Sequence, residues 1–317
     1  MLGWSGTPGS KFWDTDGHNS VLYVNNSMGF RDIEHEPLSN KPAIVFLGGS
    51  YPAGAYVKFD EIFVELLRHK LTNYELYNNS FDCYGPDQDL LSFKNWQDQY
   101  KGRIKLVILM VSDEDVRRDN VSFVCGMPKP KFEIVRNKLV PTGVPVPMSS
   151  IWQRKESDQQ LTKMRIWKNS IKTLLFNSYF LHAIYDRYAY FRNFRQEYHV
   201  QTEEDLTITS KILEELKKTV EAREAKLVIF FIPSEVNVEN LFDSKPYQEK
   251  IKPICVKLGI TCIDLLPDFK KSTRRTYNHL YGGHWNPYGH KVAAEAIYNF
   301  LINDDGLKLQ SNNIKSN

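Results

Sequence analysis

Long apolar runs are what this 317-residue chain lacks most plainly. No stretch approaches the roughly 20 residues a membrane-spanning helix needs, and the longest, Leu106 to Val111 and Leu227 to Pro233, are strand-sized. Charge of one sign is scarce as well. With 41 basic and 38 acidic residues the net charge is +3, so no global field favours nucleic acid or an anionic membrane surface, and small neutral or sugar-like substrates stay open. There is no Gly-x-Gly-x-x-Gly or phosphate-loop pattern, and the eight histidines lack HExxH spacing, which predicts a reaction without metal or cofactor. The four cysteines, Cys83, Cys125, Cys255 and Cys262, form no CxxC pair and no metal-ligand spacing. They read as small buried hydrophobes, with two disulfides left open. Residues Met1 to Ser10 lack the basic, apolar and small-residue succession of a signal peptide. An anchor trimmed from upstream would place the chain outside the cytoplasm, but the residues themselves fix neither compartment nor oligomeric state.

What is present is a globular composition. A content of 42% hydrophobic and 13% aromatic residues excludes a disordered or fibrous chain and suits one large domain over residues 1–317. Apolar runs at Ala43 to Leu47, Tyr74 to Tyr77, Leu106 to Met110, Leu227 to Ile232 and Thr261 to Leu265 lack polar alternation, so they read as strands buried on both faces. Helical patterns lie between several of them: Phe59 to Leu71, then Leu206, Leu213, Leu216 and Val220, and finally Val292, Ala296, Ile297 and Phe300. Repeated strand–helix alternation predicts a five-stranded parallel sheet in a three-layer αβα sandwich. The alternation breaks over residues 122–200, a Pro-rich insertion after the third strand with a hairpin at Phe132 to Val140 and an aromatic helix around Ile171 to Phe194.

Ligands of such sheets bind beyond the carboxyl ends of the strands, so the residues that follow each strand carry the chemistry. The first strand runs into Gly48-Gly49-Ser50, where two glycines allow a sharp turn that exposes a rigid serine. The second is followed by Asn78 to Gln88, in which Gly85 can aim its N–H at a developing oxyanion. The third ends in the polar cluster Ser112-Asp113-Glu114-Asp115-Val116-Arg117-Arg118-Asp119-Asn120. Near the C-terminus Tyr281-Gly282-Gly283-His284-Trp285-Asn286-Pro287-Tyr288-Gly289-His290 offers His284 as a general base just before the last helix.

These four loops, in this order, resemble the blocks of the SGNH (GDSL-like) hydrolase family. Gly48-Gly49-Ser50 with Gly54 resembles the first block, Asn78 to Gln88 the second with Gly85 as its glycine, and His284 to Glu295 the last. The resemblance implies a flavodoxin-like α/β sandwich and a serine esterase. Ser50 would attack an ester carbonyl, His284 would carry its proton to the leaving alcohol, and the N–H groups of Ser50 and Gly85 would hold the oxyanion. Two positions depart from the family. Its third-block asparagine falls on Asp115, which donates only if burial keeps it protonated, and the aspartate that orients the histidine falls on Tyr281 or Gly282. Gly49 supports the turn, and Asp264 is a candidate replacement for the orienting acid; without one, Ser50 and His284 form a dyad. The expected substrate is a small ester or acylated glycan, most simply an acetylated carbohydrate. The alternatives are a weakened or inactive member that binds a glycan or partner, and acyl transfer to a polysaccharide.

Overall fold

In a computed structural model of the chain, residues 2–15, 20–36, 39–100, 102–146, 202–239, 246–272, 274–277 and 283–303 are described. The chain opens with an antiparallel hairpin, β1 (Lys11–Thr15) and β2 (Ser20–Val24). Then come β3 (Ala43–Gly48), α1 (Ser50–Ala53), α2 (Phe63–Lys70), β4 (Glu75–Asn78), α3 (Pro86–Trp96), β5 (Ile104–Val111) and α4 (Asp113–Arg118). Two small hairpins follow, β6 (Phe123–Val124) with β7 (Met127–Pro128), and β8 (Lys131–Val135) with β9 (Lys138–Thr142). The second is the hairpin expected at the start of the insertion; residues 147–201, including the aromatic helix expected there, lie outside the described residues. The chain closes with α5 (Glu203–Glu221), β10 (Lys226–Phe231), α6 (Glu235–Glu239), α7 (Gln248–Leu258), β11 (Thr261–Asp264), α8 (Leu266–Lys270) and α9 (Pro287–Asn303).

All five apolar runs are strands of one parallel sheet, ordered β4-β3-β5-β10-β11. Numbered by first appearance that order is 2-1-3-4-5, the flavodoxin-like arrangement, whose strand order reverses beside the first strand. The runs lack alternation because both faces of the sheet are covered. On one face Val45, Leu47, Val107 and Ile229 meet α3, α5 and α7; on the other Ile44, Phe46, Ile108 and Phe230 meet α2, α8 and α9. Each helix turns its apolar stripe inward, as Ile212, Leu213, Leu216 and Val220 do on α5. Thr202 starts that helix through a reciprocal cap: its Oγ1 accepts from Asp205 N–H at 3.1 Å, and Asp205 accepts from Thr202 N–H at 2.8 Å.

The cysteines are not the small apolar fillers their spacing suggested. Cys83 pairs with Cys125 across 42 residues and Cys255 with Cys262 across 7. The first ties the loop after β4 to the base of the insertion, and the second ties α7 to the edge strand β11. The N-terminal hairpin is a second element beyond the sequence reading. Its consequence is felt at the site, because the segment after it carries Arg31, which is buried.

Candidate active site

Ser50 stands where β3 leaves the sheet. Gly48 has φ +144°, and a Cβ on it would lie 2.8 Å from the Met110 carbonyl oxygen, so only glycine lets the end of β3 run this close to β5 while the chain turns. The Gly48 N–H donates to the buried Asp89 carboxyl at 3.1 Å, whose pKa burial and the neighbouring Asp115 and Asp87 carboxyls push well above the usual range. Ser50 is the first residue of α1, so its N–H is one of the first-turn amides without an intrahelical acceptor. The far end of α1 is gripped by the Arg31 guanidinium, which donates to the carbonyls of Ala53 at 3.3 Å, Val57 at 2.8 Å and Gly54. Arg31 in turn lies over the Tyr23 ring at 3.8 Å. The serine is therefore held from the sheet side by Asp89 and from the helix side by Arg31.

His284 is placed by the residues after it. Trp285 is buried among Tyr51, Phe63 and Phe269, with ring centroids 5.0, 6.1 and 5.0 Å away. Truncating such a side chain to alanine costs about 3–5 kcal/mol. Asn286 ties the segment down, its N–H donating to Thr276 O at 3.0 Å and its amide to Arg275 O at 2.9 Å, while its Oδ1 accepts from Gly289 N–H at 2.9 Å. A Cβ on Gly289 would lie 2.2 Å from Thr276 O. The run Trp285-Asn286-Pro287-Tyr288-Gly289 is thus an anchor, a tie, a helix start and a close approach. His290, one turn into α9, is a structural residue: its Nδ1 accepts from Phe63 N–H at 3.3 Å, and burial holds its pKa down at about 3.

These two constructions meet. His284 Nε2 lies 2.6 Å from Ser50 Oγ, across 234 residues of sequence. The imidazole sits between the rings of Tyr51 and Tyr56, at 5.1 and 5.5 Å, and the Tyr51 hydroxyl donates to Gly283 O at 2.9 Å. Neutral imidazole with its hydrogen on Nδ1 accepts the serine proton in this geometry, the starting point of general-base attack.

Gly85 caps α3 from an extended conformation, so its N–H lies outside the helical ladder. A Cβ there would meet Arg118 Cβ at 2.9 Å and Asp115 O at 3.0 Å. Gly49 is similarly crowded: a Cβ on it would be 3.3 Å from Arg118 Nη1, Asp115 Oδ1 and Tyr84 O. Both glycines therefore face α4. Asp115 lies beside both glycines and is an acceptor. Its Oδ2 takes the Ser112 N–H at 2.7 Å and its Oδ1 takes Arg118 Nη1 at 2.7 Å. Burial pushes the Asp115 carboxyl up, and Arg118 pulls it back.

Asp264, the sequence candidate for the orienting acid, is committed elsewhere. Its carboxylate accepts from Lys252 Nζ at 2.9 Å, Leu266 N–H at 3.0 Å and Gln248 at 3.3 Å. Positions 281 and 282 lie outside the described residues. An acid that the sequence reading passed over does stand beside the histidine segment. Glu235, directly beyond β10, is 7% exposed, and its Oε2 is 3.5 Å from where a Cβ on Gly283 would lie. Burial and the nearby Glu239 carboxylate raise its pKa to about 7, against the pull of Arg275. The one signal available beforehand was its place: an acid four residues past a buried parallel strand, at the rim where ligands bind. Among the described residues no cluster of three or more His, Cys, Asp or Glu is arranged to hold a metal ion, and no helix is long and apolar enough to cross a membrane.

The strand order is that of a flavodoxin-like three-layer α/β sandwich, with Ser50 after the first parallel strand and His284 before the last helix. No family model matches the chain, and no curated protein matches it. Among solved structures, it is similar to a member of the lipolytic G-D-S-L family from Veillonella parvula, at 11% identity and a TM-score of 0.46 over 82% of this chain and 98% of that one. It is also similar to the psychrotrophic esterase EstA from a Pseudoalteromonas species, at 14% identity and a TM-score of 0.41 over 82% and 96%. A third is a GDSL-like lipase from Bacteroides thetaiotaomicron, at 11% identity and a TM-score of 0.42 over 84% and 90%.

Proposed function

We propose that this protein is a serine esterase of the SGNH type that removes acyl groups, acetyl foremost, from a carbohydrate or small ester through an acyl-enzyme on Ser50. The observation that carries the reading is the 2.6 Å contact between Ser50 Oγ and His284 Nε2. In the first half-reaction the serine oxygen adds to the ester carbonyl while His284 takes its proton. The tetrahedral oxyanion is held by the N–H groups of Ser50 and Gly85, and collapse expels the alcohol with the proton returned by His284. Water then repeats the sequence and frees the acid. Glu235 balances the imidazolium that forms in each half, a part supported by its burial beside Gly283 and its place beyond β10. Two disulfides favour an oxidising, extracytoplasmic setting.

A fluorophosphonate probe tests the assignment. Wild-type protein labelled at Ser50, with labelling abolished in Ser50→Ala and slowed in His284→Ala, supports it; labelling that persists in Ser50→Ala overturns it.

One observation favours a second reading, a catalytically weakened chain that binds a glycan or passes its acyl group to a polysaccharide. Where the family has an asparagine donor, both Asp115 oxygens accept, and losing one oxyanion donor typically costs about 10²–10³ in rate. Acyl transfer to added glycan that outpaces hydrolysis separates this reading from the first.

A further inference from the structure

Arg118 touches the peptide that carries the Gly85 N–H. It lies on α4 one turn beyond Asp115, and its side chain is 13% exposed. The guanidinium donates through Nη1 to the Asp115 carboxylate at 2.7 Å and to the Tyr84 carbonyl at 3.0 Å, and through Nη2 to Glu114 at 2.7 Å. Asp115 and Glu114 hold the Arg118 pKa above its ordinary value, against the cost of burial. The contact that matters is the one to Tyr84.

The Tyr84 carbonyl and the Gly85 N–H belong to one peptide unit. That unit is planar and trans, so its C=O and N–H point in opposite directions and cannot be reoriented separately. A cation fixed on the carbonyl oxygen therefore sets where the Gly85 N–H points. It also draws electron density toward the oxygen, which makes the N–H a stronger donor. The ends of this loop are held as well: Tyr84 N–H donates to Phe81 O at 3.1 Å, the Tyr84 hydroxyl to Trp4 O at 2.7 Å, and Cys83 is bonded to Cys125. What remains free to turn is the 84–85 peptide itself, and Arg118 is the group that holds it.

We propose that Arg118 is a positioning residue for the oxyanion site, and that the pair Asp115–Arg118 does indirectly what a neutral side-chain donor at position 115 would do directly. Asp115 accepts; Arg118, anchored by it, pins the Tyr84 carbonyl, and the Gly85 N–H is thereby aimed and polarised. The aspartate is then a working part of the site, because of the two carboxylates that hold the guanidinium it is the buried one, Glu114 being half-exposed. This inference rests on the esterase reading, since it concerns how that reaction's oxyanion is held.

The test uses the full chain with p-nitrophenyl acetate and a fluorophosphonate probe. Arg118→Met alone leaves a buried carboxylate uncompensated, so the double variant Arg118→Met/Asp115→Ala, which removes both charges and places no side-chain donor at 115, is made beside it and checked for wild-type thermal unfolding. In the folded double variant kcat falls about 10²-fold, while KM stays within about 3-fold, the pattern of an interaction made in the transition state. Arg118→Lys, which keeps a cationic donor, recovers part of the loss. The Gly85 amide proton supplies a readout that a merely structural role would leave unmoved: it shifts downfield in the wild-type phosphonate adduct and loses that shift in the double variant. A double variant that is labelled and turns over like the wild type, with the Gly85 shift intact, overturns this inference alone. A wild-type chain that is not labelled at Ser50 and hydrolyses no ester overturns the esterase reading and this inference with it.

Discussion

Replacing Glu235 by glutamine separates function from stability in a way few single changes do. The carboxyl ordinarily titrates at 4.5 and is raised to about 7 in the fold, chiefly by burial. A group that holds its proton more tightly folded than unfolded makes stability fall as pH rises. The contribution is fully present below pH 4.5, is lost progressively above it, and is gone once pH passes about 7. Each pH unit across that window is worth about 1.4 kcal/mol, so carrying Glu235 ionised at pH 8 costs the wild type about 3 kcal/mol. Glutamine has nearly the same shape and no charge. Glu235→Gln is therefore expected to unfold at higher urea concentration than wild type at pH 8, with the difference shrinking toward zero near pH 4. If the ionised carboxylate also balances the His284 imidazolium, the same variant loses ester hydrolysis, by on the order of 10⁴ at the limit set by the serine-protease template. Urea titrations between pH 4 and pH 8 and initial rates on p-nitrophenyl acetate measure both. Stability curves that run parallel across the whole range would refute the burial argument. A more stable variant that still hydrolyses at the wild-type rate would remove Glu235 from the mechanism.

Asp264→Asn is expected to leave kcat within about 3-fold of wild type, because that carboxylate serves Lys252 and the start of α8; a loss comparable to that of Glu235→Gln on the same substrate contradicts the assignment. Gly48→Ala adds a Cβ 2.8 Å from the Met110 carbonyl at a φ of +144°, a strain of about 1–3 kcal/mol that also displaces Ser50, so slower phosphonate labelling and a lower unfolding midpoint are expected together. Opening the disulfides with serine pairs should reveal their loop lengths. By chain entropy the Cys83–Cys125 bridge, spanning 42 residues, stabilises by about 4 kcal/mol, and the Cys255–Cys262 bridge, spanning 7, by about 2 kcal/mol. Only the first variant should also slow ester hydrolysis, since Cys83 adjoins the Tyr84–Gly85 peptide, and equal losses of activity in both would contradict that.

How much of this was legible in the residues follows from what each feature depends on. Runs such as 106–111 and 227–232 could be read as strands because a sheet covered on both faces takes apolar side chains at nearly every position and the runs are too short for core helices. Ser50 and His284 could be singled out because loops beyond the carboxyl ends of parallel strands gather at one rim, and their side chains lie 2.6 Å apart. The N-terminal hairpin was not, since Lys11–Thr15 mixes polar with aromatic residues and leaves Trp13 69% exposed. The cysteine pairings depend on contacts across 42 and 7 residues that no local pattern encodes. Asp115 illustrates a subtler limit. Its place at the site was readable, but its role turned on Arg118 lying three residues on, a spacing that joins the two only once α4 forms. Glu235 was hidden for the converse reason: its significance comes from Gly283, 48 residues away in sequence and adjacent in space.

The grip of Arg31 on the carbonyls of Ala53, Gly54 and Val57 makes the opening segment a splint for the nucleophile, although no residue of that segment takes part in bond making. A chain cut between residue 31 and the first sheet strand would keep its core and its proton-relay pair on paper, yet the short helix behind the serine would lose its brace. A nick at that strap would uncouple the brace from the sheet strand that leads to Ser50, while the contacts of the sheet's two covered faces stay as they are.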